Sequence, residues 1–187
     1  EARVAVLGHL EGLCHTYLHA AADVEVAQAV VLNAKMRRVS VCGATETLLV
    51  DRAGAERLLP PVAADLMAAG CELRGDEEAR ALVPGMGLAT LADWTTEYLA
   101  PILAVRIVDD LEAACAHIRA YGSGHTEAIV TSDAASFPRH ESTTSVRIDS
   151  RIGVGKSSNV APVPRSTAWI HTSLARIHTV ADAGSAA

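Results

Sequence analysis

Short apolar runs alternate with helix-period segments from residue 3 to residue 131, and that alternation leaves the chain few folds to choose from. Runs at 3–7, 13–18, 46–50, 71–74, 102–108 and 128–131 read as strands. Between the second and third, Asp23 stands where an N-cap belongs. Val24, Ala27, Val30, Val31 and Ala34 then follow helical spacing as far as Lys35. A helix is expected around 61–69, opened by the pair Pro60-Pro61 and closed by Gly70 just past its end. A shorter one is expected over 76–82, with acidic residues in its first turn. Asp110 caps another that runs to Tyr121 and stops at Gly122. Residues 83–93, with Pro84, Gly85 and Gly87, read as a loop. Strands that each feed a helix build a mostly parallel sheet flanked by helices, an α/β fold.

The pattern fades after Ser132. Ser, Thr, Arg and small residues dominate from Phe137 to Pro164, and only a weak apolar pattern returns between Trp169 and Val180. The expected division is an α/β domain at 1–131 and a divergent, poorly ordered tail at 132–187, because little apolar surface is available to offset the tail's ordering entropy. Half of the 187 residues are hydrophobic but only 3% are aromatic, so Ala, Val, Leu and Ile must fill the core. A net charge of −6 speaks against a nucleic-acid surface or an anionic membrane. No apolar run approaches the roughly 18 residues of a membrane helix. The chain opens inside a strand pattern, without Met or a signal-peptide layout, as a piece of a longer protein does. Cys14, Cys42, Cys71 and Cys115 form no CxxC pair, so reduced thiols and a cytoplasmic location are expected.

Among these thiols Cys42 stands apart. It lies on a loop, and Lys35, Arg37 and Arg38 fall within seven residues, offering cations to a thiolate or to an anionic substrate group. A buried, inert thiol is the competing reading, and it is the one kept for Cys14, Cys71 and Cys115. His15 and His19 are four apart, but on a strand their rings are too distant to share one ion, so no metal site is expected. The stretch Gly153-Val154-Gly155-Lys156-Ser157 approaches a phosphate-binding loop, yet Ser150 occupies the place of its first glycine, and the match is read as chance.

Four stretches, in one order and spacing, carry a family resemblance. They are His9-Leu10-Glu11-Gly12-Leu13-Cys14-His15; Asn33-Ala34-Lys35 through Cys42 to Glu46-Thr47-Leu48-Leu49-Val50; Thr96-Glu97-Tyr98-Leu99; and Tyr121 to Ala128. From about residue 9 to 131 the chain resembles gamma-glutamyl phosphate reductase (glutamate-5-semialdehyde dehydrogenase) of the aldehyde dehydrogenase superfamily. The resemblance implies NADPH-dependent reduction of gamma-glutamyl phosphate to glutamate 5-semialdehyde, a step of proline biosynthesis. It implies Cys42 as the catalytic nucleophile and Glu97 as the carboxylate that binds the nicotinamide ribose of NADP(H). Lys35, Arg38 and His125 are the candidate substrate contacts, no metal is implied, and the superfamily's habit of self-association makes a homo-oligomer the expected assembly. The place of the superfamily's water-activating glutamate falls near His9, as suits an enzyme that must protect its thioester from water.

Departures cluster at the nucleophile. The family reads Gln-Arg-Pro before its cysteine and Asn after it, whereas this chain has Arg37-Arg38-Val39 and Gly43. Loss of the proline is expected to loosen the loop, and glycine removes a side-chain amide. The family's amino-terminal cofactor domain and its later glycine-rich segment have no counterpart in this sequence. The alternatives are a non-catalytic remnant or association domain of the same fold, and a sibling aldehyde or acyl-phosphate oxidoreductase.

Overall fold

The computed structural model describes residues 11–133 and three further strands at 146–148, 168–172 and 179–180. In chain order the elements are β1 (Cys14–Leu18), α1 (Val24–Met36), β2 (Thr45–Asp51), α2 (Ala55–Ala68), β3 (Glu72–Gly75), α3 (Glu77–Leu82), β4 (Gly87–Leu88), β5 (Ile102–Val108), α4 (Leu111–Tyr121), β6 (Thr126–Val130), β7 (Val146–Ile148), β8 (Ala168–Thr172) and β9 (Thr179–Val180). The sheet runs β4-β3-β5-β2-β1-β6, and every neighbouring pair in that path is parallel. Beyond β6, β8 adds antiparallel and β7 pairs antiparallel with β8, while β9 lies parallel to the end of β6. These three strands fall within the expected tail. The strand expected at 3–7, His9 and the 153–157 stretch lie outside the described residues.

Asp23 and Asp110 cap their helices as expected, and Asp76, expected inside its helix, caps α3 instead. Asp23, Asp76 and Asp110 each accept a hydrogen bond from the backbone N–H three residues on, at 3.0, 2.8 and 2.9 Å. At the end of α2, Gly70 adopts a positive φ of 84°. Its N–H donates to the Met67 carbonyl and the Cys71 N–H to the Leu66 carbonyl, closing the helix in the crossed pattern that a left-handed residue permits.

The start of α2 departs from expectation. The prolines do not open the helix; it begins at Ala55 and carries Pro60 and Pro61 inside. Leu58, Leu59, Val62, Ala63 and Leu66 are all buried on one face, each contributing about 1.5–3 kcal/mol for a Leu or Val, and this outweighs the backbone bonds the prolines forgo. The expected loop at 83–93 contains the two-residue β4, and a short 3₁₀ turn spans Leu91–Thr95.

β1 and β2 are buried along their whole length because helices cover both faces. Pleat alternation sends Leu48 and Val50 toward α1 and α2, and Leu49 with Tyr17 toward α4. Parallel pairing has one further consequence: the loops that enter β1, β2, β5 and β6 all lie at the same edge of the sheet. No helix among the described residues is long and apolar enough to cross a membrane.

Candidate active site

Four segments far apart in sequence meet at that edge, each immediately before a strand: Gly12 ahead of β1, Cys42 ahead of β2, Glu97 ahead of β5, and Ser123 to His125 ahead of β6. The contact is tightest at Gly12. A Cβ placed there would stand 2.3 Å from the Cys42 carbonyl oxygen, 2.8 Å from Cys42 Cα and 2.8 Å from Glu97 Oε1. Only a residue without a side chain lets the Cys42 loop and the Glu97 carboxylate approach this closely.

Cys42 is the exposed member of the four cysteines. Its loop is a pair of turns, with the Val41 N–H donating to the Arg38 carbonyl at 3.3 Å and the Ala44 N–H to the Val41 carbonyl at 2.9 Å. Cys14 lies beneath: its thiol donates to the Cys42 carbonyl at 3.1 Å, and burial, with Glu127 adding, pushes its pKa up to about 12. Burial likewise lifts Cys71 to about 11 and raises Cys115. Three thiols are thus held in the protonated form that does not attack carbon.

Glu97 is half-buried, and its carboxylate makes no hydrogen bond or ion pair among the described residues. The residues after it are tied down. The Tyr98 hydroxyl donates to Asp93 Oδ1 at 2.6 Å, and Leu99 takes the left-handed φ of 51°, a conformation costing a branched side chain roughly 1–2 kcal/mol. Asp93 also accepts from Arg74 and from the Thr90 backbone and hydroxyl. Burial acts to raise its pKa, but these donors outweigh burial and hold the carboxyl well below the usual range.

Of the remaining expected site residues, His125 is half-buried with Nδ1 2.8 Å from Thr126 Oγ1 and 3.5 Å from Cys14 Sγ, on the Cys42 side of the edge. Arg38 is exposed on the Cys42 loop. Lys35 does not face a ligand. It is fully buried, continuing the i+4 row Ala27, Val31, Lys35 on the inner face of α1, and its Nζ lies 2.6 Å from Glu46 Oε2. The expectation of a lysine in contact with substrate is therefore corrected, because its charge is matched inside the protein. His15 and His19, set aside as metal ligands, pair with Glu127 Oε2 at 2.9 Å and Thr131 Oγ1 at 2.8 Å.

Sequence reasoning had not singled out Glu46, Gly12 or Ser123, whose Oγ accepts from the Leu13 N–H at 2.9 Å. A signal for Glu46 was present, since an acid at the start of an apolar strand faces burial and Lys35 is the basic residue across the loop. A groove of about 810 Å³, lined among others by Trp94, Arg106, His117 and Tyr121, touches neither Cys42 nor Glu97.

No family model matches the chain. Among curated proteins, a gamma-glutamyl phosphate reductase from Caulobacter sp. strain K31 is 68% identical over 139 residues, covering 74% of this chain and 33% of its own length. One from Caulobacter vibrioides is 64% identical over 135 residues, covering 72% of this chain and 33% of itself. In structure, gamma-glutamyl phosphate reductase from Thermotoga maritima superposes with a TM-score of 0.68 at 40% identity, over 71% of this chain and 32% of that one. About three quarters of the chain matches gamma-glutamyl phosphate reductase. The α/β fold, a mostly parallel sheet flanked by helices, is shared with that reductase. The chain spans about a third of the length of the curated reductases it matches.

Proposed function

We propose that this reductase-like chain carries the nucleophile and one cofactor contact for the reduction of gamma-glutamyl phosphate to glutamate 5-semialdehyde, in the cytoplasm and as part of a longer enzyme. The observation behind this reading is the convergence on Gly12: the backbone of an exposed cysteine and the Glu97 carboxylate lie against the same point of the chain. The names of the relatives supply the substrate and reaction class. Cys42 thiolate attacks the acyl carbon, phosphate leaves as the C–O bond to it breaks, and the chain holds a thioester. The Cys42 backbone N–H is the donor for the developing oxyanion. Exposed Arg38 attracts the phosphoryl group, and His125 lines the same edge. Glu97 suits a nicotinamide ribose, since a free, half-buried carboxylate accepts from both hydroxyls of a diol. When bound, NADP(H) supplies the hydride that reduces the thioester carbonyl. Release of the aldehyde restores the Cys42 thiolate. A homo-oligomer is the proposed assembly.

Iodoacetamide mapping near neutral pH tests the nucleophile. Cys42 is expected to be alkylated at least about tenfold faster than Cys14, Cys71 or Cys115, whose thiolates burial suppresses. Labelling of Cys42 no faster than of those three would remove it from this role.

A further inference from the structure

We infer that Lys35 and Glu46 are positioning residues which clamp the nucleophile loop at its root and fix the loop of the cofactor carboxylate from the same point. This inference rests on the roles proposed above for Cys42 and Glu97. Lys35 ends the buried row of α1, and Glu46 is the second residue of β2. The ten residues between them, including Cys42, form the end of the helix, the whole nucleophile loop and the first residue of the strand. The 2.6 Å contact between Nζ and Oε2 therefore closes that loop as a clasp closes a ring.

Glu46 reaches in a second direction. Its Oε1 accepts from the Leu99 N–H at 3.4 Å, and the neighbouring Tyr98 N–H lies close enough to help stabilise the carboxylate. Those two amides follow Glu97 directly, and Leu99 is the described non-glycine residue with a positive φ. A strained backbone persists where its surroundings over-determine it, and here a buried carboxylate and the Tyr98–Asp93 bond supply that constraint. Lys35 Nζ also stands 5.8 Å from the Tyr98 ring centroid, so both members of the clamp touch the Glu97 loop.

Energetics favour a positioning role over simple stabilisation. Both side chains are essentially without solvent, at 0% and 1% exposure. Burial pushes the Glu46 carboxyl upward, and Lys35 with the two amides pulls it back. A buried pair of this kind roughly cancels its own desolvation cost, and well-packed apolar replacements are often neutral or better. What an apolar pair cannot supply is an acceptor for the amides of Tyr98 and Leu99 together with a fixed span across the Cys42 loop.

Two double variants of the full 187-residue chain isolate that acceptor: Lys35→Met with Glu46→Gln, and Lys35→Met with Glu46→Leu. Both remove the charges, and only the first keeps an acceptor oxygen. Hydrogen exchange at Tyr98 and Leu99 is expected to be about tenfold faster in the leucine variant than in the glutamine variant. Cys42 alkylation is expected to differ from the unsubstituted chain by at least about threefold in both variants, because each loses the contact that spans the loop. Thermal midpoints separate this local effect from global loss of structure. Identical exchange in the two variants would overturn the clamp's hold on the Glu97 loop, and alkylation in both within about twofold of the unsubstituted chain would overturn its hold on the Cys42 loop. Should the leucine variant not fold, the unsubstituted chain decides: its Tyr98 and Leu99 amides must be protected at least about tenfold over a free peptide, and open exchange there also overturns it. Slow alkylation of Cys42 in the unsubstituted chain is a different failure, that of the nucleophile assignment.

Discussion

Replacing Gly12 by alanine tests whether the site is assembled by close backbone approach. The added methyl would stand 2.3 Å from a carbonyl oxygen and 2.8 Å from a Cα, both backbone atoms of Cys42, and 2.8 Å from Glu97 Oε1. Ordinary carbon contacts lie at about 3.5–4.0 Å, so the nucleophile loop must retreat by roughly 1 Å; the glutamate alone could rotate away. Overpacking that moves backbone costs about 1–3 kcal/mol, or about 3–10 °C in thermal midpoint for a domain of this size. Gly43→Ala is the control. It flanks the same cysteine, nothing lies within 4 Å of its added methyl, and it is not among the glycines with positive φ. Its effect is expected to stay within about 0.5 kcal/mol. Urea unfolding followed by circular dichroism gives the stabilities, and mass-spectrometric alkylation of Cys42 reports the loop. The two substitutions must separate: Gly12→Ala destabilises and changes the Cys42 alkylation rate, and Gly43→Ala leaves stability alone. Equal behaviour would refute the claim that Gly12 sets the approach.

Acid should weaken the α4 face through His117. Arg106 Nη1 donates to its Nδ1 at 2.8 Å, so the folded ring is neutral, and burial, helped by His15 and Arg106, lowers its pKa to about 3. Unfolded imidazole titrates near about 6.5, so the unfolded chain binds the proton first; this contribution is complete above that pH and is lost as pH falls toward 3, at up to about 1.4 kcal/mol per pH unit. His117→Gln should flatten the decline in urea midpoint between pH 7 and pH 4, and an unchanged slope would show that other groups carry it. Gly70→Ala forces a side chain into φ 84° at the end of α2 and should cost about 1–2 kcal/mol in urea unfolding, with Cys42 alkylation unaffected. In a complete enzyme, Glu97→Gln should weaken NADPH binding or hydride transfer by about 1–3 kcal/mol while the thermal midpoint stays put, as NADPH titration and single-turnover NADPH oxidation would separately show; no change in either would make Glu97 a surface carboxylate.

Local chemistry made much of the fold legible. The aspartate caps, Gly70 and Gly122, and the strand at Ile102–Val108 stand where residue type and spacing put them, because caps and periodicity act within one turn or one strand. The helix around Pro61 was misplaced for the opposite reason. Proline chemistry points to a helix start, but the buried row from Leu58 to Leu66 is tertiary, and it won. Cys42 was visible as a thiol on a basic loop. Lys35 belonged to the same basic cluster in sequence, and only its place on the inner face of α1 separates it from exposed Arg38.

By itself the sequence determined that strands and helices alternate, that Cys42 sits in a loop entering a strand, and that its four telling stretches keep a reductase's order. The tertiary structure decided what those stretches do to one another. Gly12, Cys42, Glu97 and Ser123 are spread over more than a hundred residues, and parallel pairing of β1 with β2 and β6, and of β2 with β5, puts the loops entering these strands at one edge. The 2.3 Å approach at Gly12 and the buried join between Lys35 and Glu46 depend on strand order and on which face of α1 turns inward. Neither is a local property, because each follows from the free energy of packing the whole sheet and its helices at once.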